Sequence, residues 1–245
     1  MRNRTSLNLQ GNLYQNKINK SFISNFIGKL NYYYFLKKTI KYFKNKNLVC
    51  LDIGCGAGRF AYQFLKLRNE KDSNVKTKYI GIDASEEVGR FFKSNVLQAE
   101  FILDNAEELS KIKNESIDIL VSFHNVEHLY NPEKFFLSAN RTLKKNSYLY
   151  LACPNPSSIS AFYDKDKWIG FDEYHVSLKA PFEYRNLLTN YGFEIIEDGT
   201  TFISGLSVIR NNKILSFLSK IILFIFGGCI NWPCGEAYIC LAKKI

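Results

Sequence analysis

The sequence predicts a doubly wound α/β domain on a mainly parallel sheet, and three observations carry that prediction. From residue 48 onward, short apolar runs rich in β-branched and aromatic residues alternate with charged stretches of helical period. The runs are apolar throughout rather than alternating with polar residues, as strands covered on both faces should be. The first of them, LVCLDIG, ends in an acid and leads into three glycines at every second position, Gly54, Gly56 and Gly58.

Taken in order, LVCLDIG (48–54) reads as a strand and RFAYQFLKLR (59–68) as a helix. KYIGIDA (78–84) is a strand, and SEEVGRFFKS (85–94) a helix with Ser85 as its N-cap. A strand over 99–104 precedes a short helix, and a strand over 116–123 precedes a helix over 132–144. SYLYLAC (147–153) is a strand closed by Pro-Asn-Pro. A helix over 181–191 and strands over 193–199 and 237–244 bring the strand count to seven. Residues 1–20 are polar and loosely ordered in this reading, and 22–45 carry apolar residues at helical spacing, as one or two amphipathic helices would. The expected division is an N-terminal helical cap, 1–45, on a domain of 46–245 with a helical insertion at about 200–235. Within that insertion, KILSFLSKIILFIFGGCI (213–230) is strongly apolar. Its uninterrupted stretch is too short to span a bilayer, which needs about 20 residues. A core helix or lid is the first reading, and a helix lying on a membrane surface the second.

The net charge of +10 comes from Lys and Arg spread along the chain with no dense block, so a solvated basic surface is favoured over a nucleic-acid partner. Six cysteines form no C-x-x-C pair, and Cys229 and Cys234 have no neighbouring histidine, so no metal is expected. The opening MRNRTSLNLQGNLYQ does not read as a signal peptide, which points to reduced thiols and a cytoplasmic protein.

In a parallel α/β sheet, ligands bind at the carboxyl ends of the strands. Glycines there let a ligand approach the backbone, and the following helix offers unpaired N–H groups to an anion. A dinucleotide fingerprint would need a further glycine at Arg59, and no G-K-[ST] follows, so neither a nicotinamide site nor a P-loop is present. The second strand ends in Asp83, an acid able to accept from both hydroxyls of a ribose. The third ends in Asp104-Asn105-Ala106-Glu107, where a polar side chain meets an adenine amine. An anion-accepting loop, a ribose acid and an adenine contact on successive strands describe S-adenosyl-L-methionine.

These stretches also carry a family resemblance. VCLDIGCGAGRF resembles the first motif of the class I S-adenosylmethionine-dependent methyltransferases, and GIDAS resembles the second. FILDNAEELS is similar to the family's adenine-side stretch, with Asn105 where Asp is usual. IDILVSFHNVEHLYNP resembles the segment after strand four, usually written with LEHL and DP. RTLKKNSYLYLACPNP resembles R-x-L-K-P-G-G…PN, with Lys145-Asn146-Ser147 replacing Pro-Gly-Gly. Further on, KDKWIGFDEYHVSLKAPFEYRNLLTNYGFE and WPCGEAYICLAKK resemble a bacterial small-molecule and glycan branch, types 11 and 23. The resemblance implies a seven-stranded Rossmann-like methyltransferase sheet with an antiparallel last strand. It implies a cofactor-binding set of Asp52, Gly54, Cys55, Gly56, Gly58, Asp83, Ala84, Asn105, Ala106, Phe123 and His124.

The acceptor is less legible. Of the three histidines, His175 falls in the segment expected to wall the acceptor and is the candidate general base. His124 follows strand four as a cofactor or acceptor contact, while Glu127 and His128 read as capping or packing residues. Trp168, Tyr163 and Tyr174 serve equally as acceptor wall or core, and Asp172 and Glu173 are alternative bases. Strand four is not followed by N-P-P-Y, and Cys153-Pro154 follows strand five, which disfavours the amide, adenine-amine and cytosine-carbon chemistries. The expected function is methyl transfer to a hydroxyl or amine of a small molecule, sugar or lipid-linked intermediate, with peripheral membrane contact through 213–230. An RNA or ribosomal methyltransferase and a non-catalytic cofactor-binding scaffold are the alternatives.

Overall fold

The computed structural model describes residues 22–71, 74–203 and 205–245, with side chains from Tyr32 onward. The expected loosely ordered start at 1–20 lies outside the described residues.

The chain runs α1 (Phe22–Phe43), β1 (Leu48–Ile53), α2 (Arg59–Lys71), β2 (Thr77–Asp83), α3 (Glu86–Asn95), β3 (Glu100–Leu103) and β4 (Ile117–Phe123). A 3-10 turn at Val126–His128 leads to α4 (Pro132–Thr142), β5 (Leu143–Pro154), α5 (Ile159–Asp164) and α6 (Pro181–Asn190). Then come β6 (Phe193–Thr200), α7 (Ser207–Asn211), α8 (Lys213–Ile225) and β7 (Ala237–Lys244). The strands form one seven-stranded sheet in the order β3-β2-β1-β4-β5-β7-β6. Pairs from β3 through β5 are parallel, and β7 runs antiparallel to both β5 and β6. This is the expected Rossmann-like methyltransferase fold.

The apolar runs are explained by burial on both faces. In β1, Leu51 and Ile53 point into one core layer with Phe135, Phe136 and Leu149. Leu48 and Cys50 point into the other, with Phe35, Phe64 and Tyr150. The order reverses between β1 and β4, which opens a crevice at their carboxyl ends, the usual ligand position.

The region expected to hold one or two helices at 22–45 is a single helix, α1, whose later turns belong to the second core layer. Phe35 lies 4.6 Å from the ring of Phe123 and 5.2 Å from Tyr150. On another side of α1, Tyr33 meets Phe224 of α8 at 4.7 Å, so the helix is apolar on more than one flank.

Three expectations are corrected, and one short helix was not foreseen. The short helix expected after β3 is absent, since 104–116 forms turns and coil. The helix expected to 144 ends at Thr142, and β5 begins at once, through the positions that replace Pro-Gly-Gly. Asn146 takes φ +64°, the left-handed conformation a glycine would supply and Asn tolerates best among the larger residues. Short α5, unforeseen, is capped by Ser158, which accepts from the Ala161 N–H at 3.0 Å. Finally, 213–230 is not a core helix. Only Ser219 and Leu223 of α8 are buried and Phe224 packs on Tyr33, whereas Ile214, Phe217, Leu218 and Ile225 face outward. Among the described residues, no helix is long and apolar enough to cross a membrane.

Candidate active site

The glycine loop sits between β1 and α2, tied to β2 by the N–H groups of Gly54 and Cys55, which both donate to the carbonyl of Ile82. All three alternating glycines have positive φ, but for different reasons. A Cβ on Gly54 would lie 2.5 Å from Asn125 Oδ1, and one on Gly58 would lie 2.5 Å from Val96 Cγ2. A Cβ on Gly56 would meet nothing within 4 Å. Packing therefore excludes side chains at the outer two positions, and the middle one faces the open cradle. Cys55 is buried between them, its thiol pushed well up by burial and by Asp52 and Asp83, so it stays neutral.

Asp52 is buried just before the loop and accepts from the Tyr79 hydroxyl at 2.7 Å. Burial pushes its carboxyl up to about 7, Tyr79 opposes the shift, and the nearby Asp83 adds to it. Asp83, at the end of β2, accepts from Ser85 N at 3.0 Å and from Gly56 N at 3.4 Å. Burial raises its carboxyl, and the N–H groups of Ser85, Gly56 and Ala84 hold it down. Ala84 beside it is exposed. An acid held this way has lone pairs left for a diol. Replacing Asp83 with alanine should remove two charge-assisted hydrogen bonds worth about 1.5 kcal/mol each, or about 3 kcal/mol. That is about a 100-fold loss of S-adenosylhomocysteine affinity by calorimetry. Unchanged affinity would remove Asp83 from the site.

After β3, Asp104 is consumed by its own turn, accepting from Asn105 N, Ser110 Oγ and Lys111 N. Asn105 is exposed, and its side-chain oxygen accepts from Glu107 N at 2.9 Å, which leaves a second lone pair and the amide N–H groups for a base. Ala106 is half-buried behind it. Phe123, at the end of β4, is half-buried in an aromatic cluster, 4.8 Å from Phe60 and 5.6 Å from Tyr32. His124 follows at φ +51°, an unfavourable conformation for a non-glycine residue, with its side chain largely exposed.

Asn125 is the residue that sequence reasoning passed over. Its side chain abuts Gly54, and its Nδ2 is buried without a hydrogen-bond partner. The motif Ser-Phe-His-Asn contained it, but only the fold shows it against the glycine loop. The open space over Gly56, the Asp83 carboxylate and this unpartnered donor together fit S-adenosylmethionine.

Beyond Asn125, the segment 172–177 is stitched to the 3-10 turn. Ser177 N donates to the Glu127 carbonyl and Ser177 Oγ to that of Val126, both at 3.0 Å. His128 Nδ1 pairs with the Tyr174 carbonyl at 3.0 Å. His175 is thereby brought to His128, ring centroids 4.7 Å apart, beside the fully buried Glu127. His124 Nδ1 lies 3.5 Å from Glu127 on the loop side. Trp168 is buried and donates to Glu236 at 2.7 Å as a packing anchor, whereas Tyr163 and Tyr174 are exposed. Asp172 folds back onto Tyr174 N, and Glu173 is exposed.

Comparison with known proteins agrees with this layout. The family described as Methyltransferase domain matches residues 29–198. The ubiquinone biosynthesis O-methyltransferase of Pelagibacter ubique is 32% identical over 114 residues, 45% of this chain and 43% of that protein. Its namesake in Bartonella quintana is 25% identical over 170 residues, 64% of this chain and 65% of that protein. The matched regions thus cover less than two thirds of these relatives. Among solved structures, a Thermotoga maritima methyltransferase described as a possible histamine N-methyltransferase superposes with a TM-score of 0.62 at 20% identity, covering 96% of this chain and all of that one. An S-adenosylmethionine-dependent methyltransferase from Archaeoglobus fulgidus superposes at 0.57 with 23% identity, covering 86% and 91%. With the family matched over residues 29–198 and the sheet order and glycine loop in place, the chain belongs to the class I S-adenosylmethionine-dependent methyltransferases.

Proposed function

We propose that this chain transfers the methyl group of S-adenosylmethionine to a hydroxyl of a small acceptor with an apolar tail. One observation carries the reading: Asn125 touches Gly54, and within three residues the same segment reaches Glu127 and His128, against which His175 is pinned. A proton-accepting cluster therefore adjoins the cofactor cradle. The cofactor, when bound, supplies an activated methyl, so the protein's task is to align the acceptor oxygen, exclude water and remove a proton. His175 is the group assigned to the proton. Its Nδ1 is committed to the Gly170 carbonyl at 2.7 Å, which leaves Nε2 to accept.

The choice of a hydroxyl over an amine is supported by the relatives named as O-methyltransferases. The apolar tail is supported by α8, whose outward Ile214, Phe217, Leu218 and Ile225 begin beside Arg210 and Lys213. In this reading the described part of the N-terminal segment, α1, caps the domain of 46–245, and the helical stretch within about 200–235 presents the acceptor at a membrane surface.

The experiment is transfer of labelled methyl from S-adenosylmethionine, with the purified chain, into a lipid extract and, separately, into RNA from the same cells. Label in a hydroxyl-bearing lipid or aromatic compound, heavier by one CH2, is the expected result. Label in RNA alone would overturn the reading in favour of the nucleic-acid alternative. Cofactor binding without any labelled product would leave a scaffold.

A further inference from the structure

We infer that Glu127, His128 and His175 form a binding site for one divalent transition-metal ion of the zinc class, which activates the acceptor hydroxyl. The inference rests on the methyl-transfer reading for its role, but not for its existence. One ligand atom from each residue lies within 4.8 Å of the other two, the one such grouping found among the described residues. Glu127 is fully buried and neither carboxylate oxygen has a hydrogen-bond partner; its neighbour on the loop side is the largely exposed His124, whose Nδ1 lies 3.5 Å from Oε1. A buried carboxylate in that condition is costly, and a cation beside it offsets the cost.

The two imidazoles are set up as ligands. His128 Nδ1 faces the carbonyl of Tyr174 at 3.0 Å, and His175 Nδ1 faces that of Gly170 at 2.7 Å. A carbonyl only accepts, so each Nδ1 carries the hydrogen and Nε2 is the ring atom left to bind an ion. A backbone carbonyl on the far nitrogen is the usual outer support of a metal-bound histidine. Ser177, bonded to Glu127 O and Val126 O, holds the two ligand-bearing segments together. Two imidazoles and one carboxylate suit zinc-like ions rather than magnesium or calcium, and they leave a position open for substrate oxygen. A cation about 2.1 Å from each ligand would draw the three atoms to about 3.4 Å apart, a shift within side-chain rotation.

His175 takes the acceptor proton only in the ion-free chain; in the loaded form both histidine lone pairs belong to the ion, which takes over the activation. The acceptor oxygen coordinates, its O–H bond breaks and the proton passes to solvent. That oxygen then forms the new C–O bond as the S–CH3 bond breaks, giving a methyl ether and S-adenosylhomocysteine.

The test uses the untagged full chain, stripped with chelator and titrated with Zn2+ by calorimetry and with Co2+ by absorption. One ion per chain is expected, with Co2+ ligand-field bands and no thiolate charge-transfer band. His128→Ala and His175→Ala should each weaken binding more than about tenfold, since even outer-shell changes cost that much. Glu127→Gln should do the same, and the two histidine variants stand in if it fails to fold. A Cys229→Ser, Cys234→Ser chain should bind as wild type. No stoichiometric binding, a thiolate band, or unchanged affinity in His175→Ala would overturn the site. These readouts need neither cofactor nor acceptor, so a chain that binds the ion but methylates nothing loses the proposed function and keeps the site. Binding with a transfer rate indifferent to chelator would overturn the activating role.

Discussion

Replacing Gly56 with arginine should lower S-adenosylmethionine affinity by about 1000-fold or more, a loss of at least about 4 kcal/mol, while the chain still folds. The space next to its Cα is empty, so the new side chain enters the cradle rather than the core. Its φ of +52° makes any L-residue there cost about 1–2 kcal/mol of stability, and no packing loss is added. Gly54→Ala and Gly58→Ala should behave in the opposite way. Their new methyl groups would press on Asn125 and on Val96 and Phe92, so the unfolding midpoint should fall further than in Gly56→Arg, although far fewer atoms are added. Calorimetry beside thermal unfolding separates the two classes. An arginine variant that binds as wild type would show that the ligand does not sit over this loop.

That contrast marks how far the sequence could be read. Alternating glycines after an apolar run ending in an acid identified the loop, because strand, turn and helix are local properties. Which glycine serves the ligand was hidden, because the neighbours that decide it come from α3 and from the turn after β4. The same holds for the histidines. Glu127-His128 and Asp172-x-x-His175-x-Ser177 were visible as separate motifs, but Ser177 and Tyr174 join them through backbone groups, which carry no sequence signal. Asn146 shows a substitution whose sense appears only in φ. It replaces a glycine with the residue type that best tolerates the left-handed region. For α8, an apolar composition was mistaken for burial. The sheet face beneath it is already covered by α1, so α8 packs on α1 and leaves its other flank in solvent.

Asp52 gives the second large effect, and its sign follows from burial. The folded chain holds this proton up to about pH 7, whereas an unfolded aspartate releases it near pH 4. Between those values the folded state binds more protons at this site, so the stability that this carboxyl contributes is greatest below about pH 4 and declines until about pH 7. Three pK units correspond to about 4 kcal/mol, of which about 3 kcal/mol falls between pH 5 and pH 8. Urea unfolding of wild type and Asp52→Asn across that range should show the wild type losing about that much relative to the variant. Parallel curves would mean that Asp52 is ionised throughout. The same carboxyl connects stability to ligand binding. A ligand bearing ammonium and sulfonium charges favours the ionised acid, so binding at pH 7 should release up to about half a proton, approaching one proton as the pH falls toward 6. Calorimetry in buffers of different ionisation enthalpy reads that proton, and Asp52→Asn should abolish it. The loop thus has its lowest stability in the pH range where its acid is best prepared for a cationic ligand, and cofactor binding should restore what the buried charge costs.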